Sequence, residues 1–337
     1  MLLWVVVGSS LLLSVLLPFL LKPLLHKLGV LDVPNERSSH RTVVIRGVGI
    51  TVAVGIVVGL VLSLVTGLVP VDRSVVLIVT AILAAAALLG WIEDYRGLSI
   101  RLRALLQVLI GAIGTAALAW TMEQSFWWVP FGALAVAAYI NAANFMDGIN
   151  GISGLHGILV GVFYAIAGSM VGQFWLTVAG LVVAAAFAGF LPWNLGRGFV
   201  FLGDVGSYLL GASIAGMAVA GLLAGVYLEY LFSPVIVYLA DTFITFLRRV
   251  RAGERWYASH REHVYQRLTD VGLSHLQAAL VVTVCSGLVG AAGFVLATAS
   301  PPLAVACSVF AAAVVALYIN SPRLLARHPS HTGRIVN

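Results

Sequence analysis

The stretch Asn141-Ala-Ala-Asn144-Phe-Met-Asp147-Gly148-Ile-Asn150-Gly151 lies between two apolar segments, each long enough to cross a membrane. It places three side-chain amides and one carboxylate in a chain that has few polar groups. Only 9% of the residues are charged and 61% are hydrophobic, whereas charged residues make up about 25% of a typical soluble domain. The composition therefore predicts an integral membrane protein, in which such polar side chains need a reason.

The apolar segments predict an all-α architecture with about eleven transmembrane helices in a single polytopic domain, 1–337. A helical span needs about 20 mostly apolar residues. No internal repeat is convincing, and the weakest break between spans is at Gly172-Gln173. The predicted spans are 2–21, 48–69, 75–92, 104–121, 128–145, 155–171, 174–193, 207–225, 228–247, 277–298 and 302–320.

The basic residues predict the orientation of this bundle. Of the 19 lysines and arginines, all except Arg73 fall in the loops after odd-numbered spans or in the carboxyl-terminal tail. Because cytoplasmic loops carry an excess of positive charge, we expect the amino terminus outside and the carboxyl terminus in the cytoplasm.

Four acidic residues, Glu93, Asp94, Asp147 and Asp204, are predicted to lie at span ends on the cytoplasmic side. A carboxylate at the centre of a span costs about 2.5 to 3.5 kcal/mol, so acids at span ends suit an interface or a wet cleft. Their origin in separate loops on one face predicts that they converge. Taken alone, the Glu93-Asp94 pair favours a simpler interpretation, two solvated loop acids paired with Arg96.

Asn141, Asn144 and Asp147 are spaced by three residues, which puts them on one stripe of a helix before Gly148 interrupts it. Carboxylate and amide oxygens are the ligands that Mg²⁺ takes from proteins. Helix capping and hydrogen bonding between helices are the alternative.

Asp204 is flanked by Gly203 and Gly206 at the predicted start of the eighth span. A helix amino terminus at this point attracts anions, and the glycines allow a close approach to the backbone. Asp204 is also a common type of helix-capping residue, and this remains open.

The segment 248–267 carries six arginines together with His260 and His263, which we expect to share a helix face. A basic, histidine-bearing loop at the membrane surface suits a polyphosphate substrate. Binding of anionic lipid head groups is the alternative for Arg248, Arg249 and Arg251. The amino-terminal loop 32–49 is also basic and rich in turn residues, and solvated loop chemistry accounts for most of it.

Taken in order, these motifs resemble the polyprenyl-phosphate N-acetylhexosamine-1-phosphate transferases of glycosyltransferase family 4. The resemblance covers about 31–268. Within it, the block at 259–268 is similar to the branch of the family that initiates O-antigen. Its five blocks are Asp32-x-Pro34 to Gly49, Gly90-Trp-Ile-Glu93-Asp94, Asn144-Phe-Met-Asp147-Gly148, Phe201-Leu-Gly203-Asp204-x-Gly206-Ser207 and His260-Arg-Glu-His263-x-Tyr265-Gln266-Arg267.

The resemblance implies a role for each matching residue. Asn144 and Asp204 correspond to Mg²⁺ ligands, with Mn²⁺ as a substitute ion. Glu93, Asp94 and Asp147 correspond to the catalytic acidic centre. The candidate substrate-binding residues are Arg37, His40, Asn141, Arg248, His260, Arg261 and His263.

The chain departs from the family pattern at three positions. Glu93 stands where the family usually has an aspartate, which keeps the charge and lengthens the side chain. Asn150 replaces an aspartate, so one charge is lost, and Val48 interrupts a glycine run. The block at 259–268 lacks the three consecutive histidines of the peptidoglycan branch.

The expected reaction transfers a sugar phosphate from a UDP-N-acetylhexosamine to a polyprenyl phosphate lipid at the cytoplasmic face of a bacterial inner membrane. We expect direct attack by the lipid phosphate, with Asp94 or Asp147 assisting its deprotonation, and a covalent intermediate on an aspartate is the competing mechanism. A homodimer is a further expectation, and no nucleic-acid partner is predicted. The rival function is a transporter or flippase, which predicts acids at mid-span and an inverted repeat.

Overall fold

The computed structural model describes residues 1–32, 44–196, 200–254 and 261–326. This part of the chain is almost entirely helical, as predicted. The helices are α1 (Leu2–Lys27), α2 (Ile50–Val65), α3 (Arg73–Arg96), α4 (Ile100–Thr121), α5 (Trp128–Met146), α6 (Ile152–Val171), α7 (Phe174–Leu195), α8 (Gly203–Leu223), α9 (Leu228–Phe232), α10 (Ile236–Arg251), α11 (Val264–Asp270), α12 (His275–Leu296) and α13 (Pro301–Ala326).

A small ribbon is the exception to the all-α expectation. Strands β1 (Leu31–Asp32) and β2 (Val44–Ile45) pair antiparallel, with Leu31 opposite Ile45. Ile45 also forms a parallel bridge with Val200, just before α8. The ribbon therefore ties the start of α2 to the start of α8.

A helix lies in each predicted span, but the count and one helix differ from the prediction. In the described residues ten helical segments, rather than eleven, are long and apolar enough to cross a membrane, one of them being Leu228–Arg251, and α2 is a shorter apolar helix of 16 residues. Segment Leu228–Arg251 is divided into α9 and α10 by a 3₁₀ turn at Ser233–Val235, because Pro234 cannot donate a backbone hydrogen bond. The weak break at Gly172-Gln173 is present: Gly172 adopts a left-handed φ of 76° between α6 and α7.

Helix α8 lies at the centre of the bundle, and nearly all of its residues are buried. It packs against α3 and α5 through small residues that let the backbones approach. At Gly90 of α3, a β-carbon would collide with the backbone carbonyl of Asp204. This close contact brings the end of α3 beside the start of α8.

Candidate active site

Asp94, in the last turn of α3, caps the amino terminus of α8. Its Oδ1 accepts a hydrogen bond from the backbone N–H of Asp204 at 3.0 Å, and its Oδ2 accepts one from the N–H of Val205 at 2.9 Å. Gly97 ends α3 just beyond it with a φ of 69°. The capping alternative for Asp204 is therefore wrong, since Asp94 caps α8 and already occupies these two N–H groups.

Arg46 joins the two carboxylates at this point. Its Nε lies 2.6 Å from Asp94 Oδ1, and its Nη2 lies 2.6 Å from Asp204 Oδ2. The Asp94 side chain is fully buried, whereas that of Arg46 is 35% exposed. A buried carboxylate needs a partner of opposite charge, and Arg46 supplies it from the loop before α2.

Asn144 completes the group from α5. Its Nδ2 donates to Asp204 Oδ1 at 2.7 Å and to Ser207 Oγ at 3.0 Å. Asn141, one turn earlier on the same helix, donates instead to Gln107 Oε1 on α4 at 2.6 Å. The predicted convergence of Asp94, Asn144 and Asp204 is present in the structure, while Asn141 bonds to a different neighbour.

Asp147 immediately follows α5, and its Oδ1 accepts a hydrogen bond from Ser153 Oγ at 2.6 Å. Burial raises the pKa of this carboxyl to about 7. The Ser153 hydrogen bond and the charge of Arg46 act in the opposite direction, whereas the charges of Asp204 and Asp94 raise the pKa further. Asp147 is therefore close enough to the acidic group to sense its charges, and it titrates near neutral pH.

Glu93 points away from its neighbour Asp94, as expected for adjacent side chains on a helix. Its Oε1 pairs with Arg103 Nη1 of α4 at 3.2 Å, so the expected pairing with Arg96 is wrong. Its Oε2 is buried, and in the described part of the chain it has no hydrogen-bond partner. The longer side chain of Glu93 thus bonds to a residue outside the Asp94 and Asp204 group.

His263 lies at the start of α11, buried against α10. The helix begins only at Val264, so the expectation that His263 shares a helix face with His260 is wrong. The His263 Nδ1 lies 3.1 Å from Oδ1 of Asp241, and its ring stacks on Phe145 with the centroids 6.2 Å apart.

The remaining candidate substrate-binding residues occupy several positions. Arg261 is exposed and lies 3.4 Å from Asp270, and Arg248 is partly buried near the end of α10. Their roles stay predictions. Arg37, His40 and His260 lie outside the described residues.

The sequence did not predict four of the residues that bond to the candidate site residues. They are Arg46, Arg103, Ser207 and Asp241. Arg46 directly precedes Gly47 at a span start, and Ser207 ends the Asp204 block, so both carried a weak signal. Nothing in the spacing of Arg103 or Asp241 indicates their partners, because these contacts join separate helices.

Two apolar cavities follow the groove between α5 and α10. One has a volume of about 260 Å³ and is lined by residues of α5, α6, α8, α9 and α10, including Tyr139. The other has a volume of about 250 Å³ and includes Asn141 and His263 in its wall. Ala138 and Leu239 line both cavities, so the two cavities are neighbours along α5, and the second extends to Asn141 and Phe145 near the end of that helix.

Asp204 and Asn144 have the ligand chemistry that Mg²⁺ prefers. The Asn144 amide nitrogen faces Asp204, and Arg46 holds the other Asp204 oxygen. Within the described ranges, no group of three or more histidine, cysteine or acidic side chains has a metal-binding arrangement. In this arrangement both Asp204 oxygens are held by protein donors, so Mg²⁺ binding by Asp204 and Asn144 stays a prediction.

Comparison with known proteins agrees with this geometry. The model of the family described as glycosyl transferase family 4 matches residues 74–222, which include Asp94, Asn144 and Asp204. Residues 74–222 belong to glycosyl transferase family 4. The predicted family resemblance is confirmed.

The similar proteins are sugar-phosphate transferases by name. A probable undecaprenyl-phosphate N-acetylglucosaminyl 1-phosphate transferase of Bacillus subtilis (strain 168) is 26% identical over 310 residues, which cover 86% of this chain and 84% of that protein. An undecaprenyl-phosphate alpha-N-acetylglucosaminyl 1-phosphate transferase of Escherichia coli (strain K12) is 28% identical, covering 85% and 81%. A decaprenyl-phosphate N-acetylglucosaminephosphotransferase of Mycolicibacterium smegmatis is 30% identical, covering 66% and 59%.

Proposed function

We propose that this glycosyl transferase family 4 protein transfers an N-acetylhexosamine-1-phosphate from a UDP-sugar to polyprenyl phosphate and releases UMP. The observation that carries the proposal is the meeting of Asp94, Asn144 and Asp204 with Arg46 at one end of an apolar helix bundle. Polar groups that are costly to bury are concentrated where a lipid phosphate can meet a water-soluble nucleotide.

The reaction has to bring two anionic phosphates together. Their repulsion is strong in a site of low dielectric constant, so cationic groups and positioning contribute most of the catalysis. Arg46 is the cation of the described group, and 35% of its side-chain surface is exposed. This arrangement supports a role for Arg46 at the phosphates.

The acceptor's hydrocarbon chain fits the groove between α5 and α10. The walls of the cavity of about 260 Å³ are mostly apolar, and the polar side chains of Asn141, Thr242 and His263 line the other cavity. An isoprenoid chain in this groove would direct its phosphate toward the acidic group. Burial of the apolar chain supplies binding energy, while the phosphate stays at the polar end.

Asp147 suits the role of general base better than Asp94 does. Both Asp94 oxygens already accept hydrogen bonds from α8, and Arg46 stabilises its charged form. Asp147 has a pKa of about 7 and so can accept a proton near neutral pH. In the proposed step a lipid phosphate oxygen, deprotonated by Asp147, bonds to the β-phosphorus of the UDP-sugar, and the bond from that phosphorus to UMP breaks.

The competing mechanism forms a covalent sugar-phosphate on an aspartate before the lipid attacks. It predicts that protein incubated with labelled UDP-sugar and no lipid retains the sugar-phosphate label. Direct attack predicts that no label is retained. Trapping such an adduct would overturn the direct mechanism.

We also propose Mg²⁺, or Mn²⁺ in its place, as the cofactor of this site. Asp204 and Asn144 would hold the ion, and it would neutralise negative charge on the diphosphate of the donor. Removal of divalent ions with EDTA should abolish activity, and added Mg²⁺ should restore it.

The biological setting is proposed from the family resemblance. We place the active site at the cytoplasmic face of a bacterial inner membrane, because nucleotide-sugars are cytosolic. The product would start a lipid-linked glycan such as O-antigen. Assaying a panel of UDP-N-acetylhexosamines with undecaprenyl phosphate tests the sugar, beginning with UDP-N-acetylglucosamine.

Exchange of radiolabelled UMP into a UDP-N-acetylhexosamine separates this function from a carrier. A transferase catalyses the exchange in the presence of polyprenyl phosphate, and a transporter or flippase does not. The positions of Asp94, Asp147 and Asp204 at helix ends favour the transferase. Failure of exchange by purified, folded protein with UDP-N-acetylhexosamines, lipid and Mg²⁺ would contradict the proposal.

A further inference from the structure

Asp241 is a fully buried acid on α10 that the proposed reaction does not use. Its carboxylate binds groups from α11, α13 and its own helix. The contacts are the His263 Nδ1 at 3.1 Å, the Val264 N–H at 3.0 Å, the Tyr265 N–H at 3.4 Å, the Tyr318 O–H at 2.6 Å and the Thr245 O–H at 3.3 Å. Asp241 therefore connects three helices at one point.

These partners require an ionised carboxylate. A charged aspartate accepts hydrogen bonds at both oxygens and donates none, so it can satisfy several donors at once. The Val264 and Tyr265 N–H groups are the first backbone donors of α11, which would otherwise be buried without partners.

Helix α11 in turn contacts the segment between Asn144 and Asp147. The Tyr265 hydroxyl donates to the backbone carbonyl of Phe145 at 2.9 Å. A β-carbon at Gly148 would collide with the same hydroxyl. The His263 ring also stacks on Phe145 and lines the groove beside Asn141.

We infer that Asp241 is a positioning residue for donor binding, which fixes His263 and the start of α11 against the segment that carries Asn144 and Asp147. The inference rests on the proposed function and on the family resemblance, which implies that His263 binds the nucleotide-sugar, although His263 also lines the cavity proposed for the lipid. Asp241 itself lies behind His263 and acts through it.

The test compares Asp241→Asn with two matched variants in the same buried contact. Asparagine keeps the shape of the side chain, but its amide N–H₂ group replaces one acceptor oxygen. It therefore faces the backbone N–H donors of Val264 and Tyr265 with one acceptor fewer, which disturbs the start of α11. Tyr318→Phe removes the shortest hydrogen bond, from α13, and Thr245→Val removes a bond within α10. Neither of these variants changes a contact to α11.

We expect Asp241→Asn to raise KM for the UDP-sugar about tenfold, in line with the loss of hydrogen bonds to a charged group, with a smaller change in KM for the lipid. Tyr318→Phe and Thr245→Val should each change the donor KM less than about twofold on the same principle, because α11 keeps its cap. Adding His263→Ala to Asp241→Asn should raise the donor KM no further than the larger single effect.

A readout that needs no activity is hydrogen exchange at the Val264 and Tyr265 amides. It should be faster in Asp241→Asn than in the wild type and unchanged in Thr245→Val. If the wild-type protein catalyses UMP exchange and folded Asp241→Asn has an unchanged donor KM, the inference is overturned. The inference would also be overturned if activity towards donor and lipid fell equally and in proportion to the loss of folded protein. That result would indicate a purely structural role.

Absence of exchange in the wild type would instead contradict the proposed function. The two failures are therefore distinguishable. In that case the amide exchange still reports whether Asp241 holds the start of α11, and the assignment to donor binding falls with the function.

Discussion

Two buried aspartates, Asp94 and Asp241, use the same structural device in different surroundings. Each extends from one helix and accepts the first N–H groups of another, Asp94 from α8 and Asp241 from α11. The Asp94 group includes Asp204 and the cation Arg46, whose side chain is 35% exposed. The Asp241 carboxylate is closed off and bonded to a histidine, hydroxyl groups and backbone amides.

The difference teaches how one capping contact can serve two purposes. At α8, Asp94 accepts the hydrogen bonds of the amino-terminal N–H groups, so the Asp204 side chain is not needed as a cap. Asp204 instead contacts Arg46 and Asn144. At α11 the cap fixes a short helix that has little stability of its own. The first arrangement presents charge to an open site, and the second holds a neighbouring element in place.

The largest expected effect is on Asp204. Asp204→Asn removes a charge at the open group while leaving the Asp94 cap intact, so we expect activity to fall about 10³-fold with little change in thermal stability. UMP exchange and a melting curve of the purified protein measure the two quantities. Activity within tenfold of the wild type would remove Asp204 from the reaction.

Asp94→Asn should lower both activity and stability. The variant weakens the α8 cap, which costs about 1 to 2 kcal/mol, and leaves Arg46 with less opposing charge. We expect a drop in Tm that Asp204→Asn does not show, together with a loss of about 100-fold in exchange rate. If the two variants had equal Tm values, the division between cap and charged group would be wrong.

The pH dependence tests the third acid. Asp147 accepts a proton only when deprotonated, so with a pKa of about 7 the rate should rise with pH, by about tenfold from pH 6 to pH 8. The acceptor phosphate itself titrates near pH 6. Asp147→Asn should therefore be slow and should lose the titration near pH 7. A variant that kept the wild-type profile would assign the titration to the lipid.

Much of the bundle and its acidic group could be predicted from sequence, because the signals are local. Span length and hydropathy determined the helices, and Gly97 and Gly203 marked their ends beside Asp94 and Asp204. Acids at span ends on one face predicted convergence, since alternate helices return to the same side. The family resemblance predicted which of these acids belong together.

The remaining contacts depend on distances between helices that no local pattern encodes. The spacing of three predicted one stripe for Asn141 and Asn144, yet their partners lie on different helices, α4 and α8. The predicted partner of Glu93 was Arg96, three residues along the chain. The observed partner is Arg103, because α3 packs on α4. No local pattern predicted the partners of Asp241, because they lie as far along the chain as Tyr318.

The smallest expected effect concerns the apolar groove that leads to the acidic group. Ala138 lines both cavities, so Ala138→Trp should narrow the passage and raise KM for polyprenyl phosphate severalfold, about 1 kcal/mol, while the donor KM stays unchanged. Leu134→Trp is the matched control, because Leu134 lies one turn earlier on α5 with 67% of its surface exposed. Equal lipid KM values for the two variants would place the isoprenoid chain elsewhere. A rise in donor KM alone would mean that the groove binds the nucleotide-sugar. In that case His263, which Asp241 holds in place, would contact the donor from the wall of this groove.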